Sequence, residues 1–292
     1  MRHAILGAGG VGSLLGGALA RAGRDVVLLR RPETLARHPG RLRVESAVLG
    51  DFEADVATAA ELDREVDVLW VSPKAPDLEA ALELARPERV GAAVVVPLLN
   101  GVDHVARLRE SYKRVLAAAI RVESERVEPG LVRQPTPFAR VDLAPGPGSD
   151  EVAGELRAAG LQVELGPDEA TVLWEKLALL GPLALTTTAA GAPAGAVQEA
   201  AEWRARLVAC HREAVAVGAA EGATLDGPAL EGLLEFPLGE MRTSMQKDFD
   251  AGRPLELDAI AGPIVREGRR HGLETPATAE LIRLVEQRLD GR

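Results

Sequence analysis

The chain is poor in several things, and each scarcity closes off a class of function. It has one cysteine, Cys210, in 292 residues. That excludes an intrachain disulfide and a cysteine-based metal centre. Positive charge is outweighed, for a net of −10, at odds with the basic surfaces that grip nucleic acid. No apolar run approaches the ~20 residues that span a bilayer. The N-terminal MRHAILGAGG is apolar, but too short and glycine-rich for a secretory leader. The expectation is a soluble cytoplasmic protein without nucleic-acid or membrane partners. Its five histidines (His3, His38, His104, His211 and His271) are scattered, so no metal is expected. His104 reads as a surface residue, or else as one lining the site beside Asn100.

Two further scarcities guide the search for chemistry. Lysine occurs four times (Lys74, Lys113, Lys176, Lys247) against thirty arginines, and asparagine once, at Asn100. Such a chain uses arginine wherever a generic positive charge suffices. A retained lysine or asparagine therefore marks a place where the particular side chain matters. Little asparagine beside 19 prolines also suits a heat-adapted protein.

What is present has a clear order. The length allows two domains of roughly 100–200 residues. The first half alternates short β-rich runs (HAIL at 3–6, DVVLL at 25–29, LRVES and DFEADVAT at 42–57, VDVLWVS at 66–72, AAVVVPLL at 92–99) with helical stretches. That alternation predicts a parallel sheet covered by helices, and the unbroken apolar runs predict strands buried on both faces. From 114 to 142 strand follows strand, which predicts an antiparallel extension of the sheet; a helix and a last strand near 162–166 follow. After Pro167 strand signals almost vanish and helical periodicity takes over. The expected plan is an α/β domain over 1–167 and an all-α domain over 168–292. Trp70 and Trp174 read as packing residues. Trp203, Leu207 and Ala214 share a helix face that reads as core or as the seam of a homodimer.

Residues 7–12 are G-A-G-G-V-G, a complete G-x-G-x-x-G placed after a strand and at the start of a helix. In that context the motif is the fingerprint of a Rossmann dinucleotide site. Gly7 makes the tight turn, Gly9 admits the pyrophosphate, and Gly12 lets helix and strand pack closely. Ala8, Gly10 and Val11 complete the loop, whose N–H groups and helix dipole face the phosphates. The competing reading is a glycine-rich turn with no ligand. The second strand ends in Arg30 and Arg31, where an NAD site would have a carboxylate. Two guanidiniums suit a 2′-phosphate, so the expected cofactor is NADP(H). The competing reading is two solvated arginines.

Ligands of such sheets lie at the carboxyl ends of the strands. Lys74 in VSPKAPD and Asn100 in PLLNGV stand at two such ends. Asn-Gly is also a common turn pair, and Lys74 could be a plain surface charge. Lys176, in ATVLWEKLALL, opens the helical half among apolar neighbours. Burial there would lower its pKa towards that of a useful proton donor; alternatively it snorkels from an amphipathic helix. In TSMQKDFDAGRPLELDAI (243–260), Ser244 and Glu256 are further polar candidates. Glu256 and Asp258 stand two apart, so one helix face cannot hold both. Lys247 and Asp248 read as a surface ion pair.

Together these residues resemble the ketopantoate reductase (2-dehydropantoate 2-reductase) family over nearly the whole chain. The resemblance rests on G-A-G-G-V-G, Lys74, Asn100-Gly101, the W-E-K-L lysine, S-M-Q-K-D and L-E-L-D. It implies NADPH-dependent reduction of ketopantoate to pantoate, a step of pantothenate and coenzyme A biosynthesis. It makes Lys176 the general acid and has Glu256 position Lys176 or hold a substrate hydroxyl. Ser244 would bind the substrate carboxylate, and Lys74 and Asn100 would bridge cofactor and substrate. The family leaves a homodimer open. One departure stands out: Leu180 and Ala184 replace asparagines usual in the family, with Pro182 between them. Thr186, Thr187 and Thr188 are the expected substitutes. The departure leaves two alternatives, reduction of another branched 2-oxo acid or a non-catalytic NADPH sensor.

Overall fold

The computed structural model describes residues 1–291. The chain forms two compact units, one of residues Met1–Leu99 and His104–Glu169, the other of Asn100–Asp103 and the chain from Ala170 on.

The first unit is built on the strand–helix alternation. Its elements are β1 (Arg2–Leu6), α1 (Gly10–Arg21), β2 (Asp25–Leu29), α2 (Pro32–Leu35), β3 (Arg41–Ser46), β4 (Phe52–Asp55), β5 (Ala57–Ala59), β6 (Val68–Val71), α3 (Leu78–Leu82), α4 (Pro87–Val90) and β7 (Val94–Pro97). Then come α5 (Asp103–Arg109), β8 (Ala118–Val122), β9 (Glu125–Glu128), β10 (Leu131–Gln134), β11 (Ala139–Leu143), α6 (Ser149–Ala158) and β12 (Gln162–Leu165). The main sheet has the order β5-β2-β1-β6-β7, all parallel. Alternate residues of one strand enter different cores: Ile5 and Trp70 pack with Leu15, Leu19 and Leu28, while Leu6, Leu69 and Val71 pack with Leu29, Leu99 and Leu108. Burial on both faces is why β6 and β7 are continuous apolar runs.

The strands after 114 do pair antiparallel in part, β8 with β11 and β9 with β10. They form two small sheets, β4-β3-β10-β9 and β12-β11-β8, with a Val95–Val115 bridge to β7. A buried polar group pins the sheet. His3 Nδ1 accepts the Trp70 indole N–H at 3.1 Å, so its Nε2 carries the proton donated to Glu155 at 3.0 Å.

The second unit is helical: α7 (Glu169–Ala190), α8 (Ala194–Glu199), α9 (Ala201–Ala220), α10 (Gly227–Leu233), α11 (Ser244–Asp250), α12 (Leu257–Arg270) and α13 (Pro276–Asp290). Trp174, Leu177 and Ala178 of α7 pack on Ala214 and Val217 of α9 and Ile264 of α12. Leu207 and Ala214 are core, as one of the two readings of that helix expected.

Two of these helices carry a proline in their interior, and both prolines shape the site. Pro182 in α7 lacks the N–H that would bond the Ala178 carbonyl four residues back. His211 of α9 replaces it: its Nδ1 donates to Ala178 O at 2.7 Å, in the buried interior. A carbonyl cannot donate, so this contact fixes the His211 tautomer. Pro263 in α12 frees the Ala259 carbonyl in the same way. No described helix is long and apolar enough to cross a membrane.

Candidate active site

The glycine loop leaves β1 at Gly7 with φ +94, a conformation open to glycine. A Cβ at Gly7 would collide with Pro73, one at Gly10 with Ser124 O, and one at Gly12 with Gly7 O. The loop is held from both sides, for Ser72 Oγ donates to Gly7 O at 2.9 Å and Ser124 Oγ to Gly10 O at 3.0 Å. Gly9 differs: a Cβ there would meet nothing within 4 Å. Nothing in the protein demands a glycine at that point, whereas a pyrophosphate laid against the backbone would. Gly9 caps α1 without any side-chain bond, which leaves the first-turn N–H groups to a ligand.

Beside this cradle lies a group of cations. Arg30, at the end of β2, is only 5% exposed, and its Nε and Nη1 are buried without an acceptor. Burial, followed by the charge of Arg126, pushes the Arg30 guanidinium below its usual range. Arg126 Nη1 donates to Ala8 O at 3.0 Å, which ties it to the glycine loop. Unpaired buried cations are costly to fold. These orphaned donors fit the anionic end of a phosphorylated dinucleotide. Arg31 differs, being exposed and paired with Asp77 at 2.6 Å. Lys74 is exposed, just before the 3-10 turn Ala75–Asp77.

The second unit brings three other predicted residues together. Lys176 Nζ donates to Asn100 Oδ1 at 3.0 Å, and Asn100 Nδ2 donates to Glu256 Oε2 at 3.1 Å. The ammonium can only donate and the carboxylate only accept, so the two partners fix the amide's orientation. Lys176 is half-buried on α7, and Glu256 is 7% exposed at the N-cap of α12. Asn100 is placed by Gly101, whose φ is +87 and whose missing Cβ would collide with Ala259 O. That carbonyl is the one freed by Pro263, and a Cα hydrogen of Gly101 faces it.

A lysine bonded to an amide that is in turn bonded to a carboxylate, downstream of a G-x-G-x-x-G loop, is a set of groups that suits a carbonyl reductase. Comparison with known proteins agrees. Residues 3–148 match the model of the family described as Ketopantoate reductase PanE/ApbA, and residues 170–289 match its C-terminal model. The chain belongs to the ketopantoate reductase family. It is 32% identical to the 2-dehydropantoate 2-reductase of Mycobacterium tuberculosis, over 99% of this chain and 98% of the relative. It is also 32% identical to that of Caulobacter vibrioides, over 97% of each. Among solved structures, a PanE/ApbA family ketopantoate reductase from Ralstonia eutropha superposes with a TM-score of 0.90 at 29% identity, covering 100% of this chain and 99% of the other. The chain is thus an oxidoreductase acting on a CH–OH group, and ketopantoate reductases use NADPH.

The structure decides one choice the sequence left open and corrects other details of the reading of this reductase. Glu256 points inward, whereas Asp258 is exposed and paired with Arg266 at 2.6 Å. Asp248 is no surface residue: it is buried and bonded to Arg253 at 2.7 Å. His104 is buried as well. Two of the three threonines have their hydroxyls engaged within their own helix, while the buried Thr188 Oγ1 has no partner among the described residues. Thr186 Oγ1 donates to Pro182 O at 2.6 Å and Thr187 Oγ1 to Leu183 O at 2.7 Å, and all three side chains are fully buried. Hydroxyls in a helix readily bond the carbonyl four residues back. Leu180, four residues after Lys176, is half-buried on the same face, and Ala184 is buried. Ser244 is exposed at the start of α11.

Sequence reasoning missed Arg126 and His38, the latter in the loop before β3. An arginine in an arginine-rich chain and an isolated histidine carry no pattern to find. It also missed that Glu221, Glu267 and His271 bring ligand atoms within 4.8 Å of one another. Arg270 already pairs with both carboxylates there, so the group reads as an ion-pair cluster.

Proposed function

We propose that this chain reduces ketopantoate to pantoate with NADPH, using Lys176 as the general acid. The observation that carries the reading is the Lys176–Asn100–Glu256 chain of hydrogen bonds. When bound, the reduced nicotinamide supplies the hydride. The protein has to bind the 2-oxo acid, orient its carbonyl and deliver a proton to the carbonyl oxygen as it gains charge. Lys176 Nζ is the donor, since an arginine in its place could not release a proton at ordinary pH. Glu256 orients Asn100, and Asn100 fixes the direction of Nζ. Ser244 supplies a hydroxyl for the substrate carboxylate, and Lys74 and Asn100 take the bridging role between cofactor and substrate that the family resemblance gives them. Arg30 supplies selectivity for the 2′-phosphate, with Arg31 outside it as a second charge.

Leu180 supports a second reading. It puts an apolar side chain on the Lys176 face where the family carries an amide, which suits a branched 2-oxo acid without a hydroxyl. Sites that bond a substrate hydroxyl discriminate strongly against analogues lacking it, while apolar walls discriminate weakly. Steady-state kinetics with ketopantoate and 2-oxoisovalerate decide between them. A kcat/KM at least tenfold higher for ketopantoate supports the first reading, and the reverse order replaces it with the second.

A further inference from the structure

His38 lies in the loop between α2 and β3, on no motif. Its Nδ1 accepts the backbone N–H of Gly40 at 3.1 Å. A ring nitrogen that accepts carries no proton, so in the neutral ring the proton is on Nε2. Nε2 is buried and donates to nothing in the protein. The charged groups facing the ring are Arg30, from the end of β2, and Arg126, from β9. Arg30 is more than nine-tenths buried, and two of its own N–H groups are unmatched. The loop and the end of β2 thus hold three buried, unmatched donors, His38 Nε2 and Arg30 Nε and Nη1, near enough together for the charges of Arg30 and Arg126 to act on the ring. Buried polar groups are normally paired, so this concentration of orphaned donors implies an anion.

Resting on the NADPH reading above, we propose that His38 is a specificity residue: a neutral imidazole, locked in the Nε2–H tautomer by Gly40, that donates to the same 2′-phosphate as Arg30. Neutrality follows from the geometry. A second proton would sit on Nδ1 and oppose the Gly40 N–H, beside two guanidiniums. Burial and those two charges hold His38 down to about 4, so the ring stays neutral through the usual assay range. The donor function needs no proton uptake, and His38 discriminates equally well from pH 6 to pH 8.

The test uses the full chain and two adenosine probes, 2′,5′-ADP and 5′-AMP, with dissociation constants from calorimetry. His38→Phe is expected to weaken 2′,5′-ADP about tenfold and to leave 5′-AMP within twofold, the effect of one hydrogen bond to a charged group. His38→Gln, whose Nε2 can reach the same place, restores most of the loss. Nitrogen-15 spectra should show a protonated Nε2 whose resonance moves with 2′,5′-ADP but not with 5′-AMP. Equal weakening of both probes by His38→Phe, or a spectrum of the cationic ring at pH 7.5, overturns the proposal. Arg30→Ala is the reference. If it is selective for 2′,5′-ADP while His38→Phe is not, the role of His38 alone fails. If neither is selective, the NADPH reading fails and takes this inference with it.

Discussion

The two candidate sites are built on opposite principles. Around the glycine loop, the informative groups are those with nothing to bond: Arg30 Nε and Nη1, His38 Nε2, and a Gly9 that only a ligand would require. Around Lys176 the informative groups are bonded to one another, from ammonium to amide to carboxylate. A binding site for a charged ligand is made by leaving donors unmatched. A proton donor is made by fixing its direction with partners already in place. The first arrangement sacrifices stability for affinity, and the second invests hydrogen bonds in orientation.

The largest effect that sharpens this contrast is at Lys176. Lys176→Ala should lower kcat by about 10³–10⁴-fold, at the upper end of general-acid contributions, with the NADPH dissociation constant within twofold by fluorescence titration. A parallel loss of NADPH affinity would erase the distinction between the two sites. Asn100→Ala, which removes the link and leaves the lysine, should lower kcat by roughly 10²-fold with KM less affected. An unchanged kcat would show that Lys176 needs no guide. Arg30→Ala should weaken NADPH by about 10–100-fold and NADH by less than twofold. Arg31→Ala should weaken NADPH by less than Arg30→Ala, because Arg31 is exposed to screening by solvent and already paired with Asp77.

A smaller effect tests the frame behind Lys176. His211→Ala leaves the Ala178 carbonyl unmatched and should cost about 1–3 kcal/mol in thermal unfolding. Pro182→Ala in the same chain returns the helical N–H and should recover part of that cost. A double variant no more stable than His211→Ala would show that His211 acts by packing alone. The smallest effect is one of pH. Burial, the larger influence, holds His3 below 6.5 despite the Glu155 carboxylate. The unfolded chain therefore binds this proton more readily, so the contribution of His3 is complete above about pH 6.5 and lost as pH falls through its folded value. Stability should decline from pH 7 to pH 5, and less steeply in His3→Gln.

The same contrast explains what could be read before the fold was known. The glycine loop is local: six residues carry the geometry and the chemistry, so Gly7, Gly9 and Gly12 are legible as letters. The parallel strands were legible for the same reason, since burial on both faces writes itself as VLWV and VVVP. The antiparallel pairings were read as one extension because sequence shows adjacency, whereas separate sheets depend on contacts such as β3 with β10, far apart in the chain. Lys176, Asn100 and Glu256 stood out by rarity and by family resemblance, but not the bonds joining them. Arg126 and His38 were invisible, because what distinguishes them is what their neighbours lack. Thr186 and Thr187 misled because composition offered them as polar groups, and helix geometry had already spent their hydroxyls on Pro182 and Leu183 carbonyls.

The Asn100–Gly101 pair has one more consequence, for the lifetime of the molecule. An asparagine before glycine is the pairing most open to succinimide closure, in which the following backbone nitrogen attacks the side-chain amide. This chain has discarded every other asparagine and kept the one in the most perishable context. The two bonds to its amide and the press of Gly101 against Ala259 O hold back the swing that closure needs. Where that grip slackens on heating, deamidation leaves an aspartate facing Glu256 and strips away the donor between them. Asparagine deamidation in the enzyme then has a single address, and a mass gain of one dalton at Asn100 should track the loss of activity.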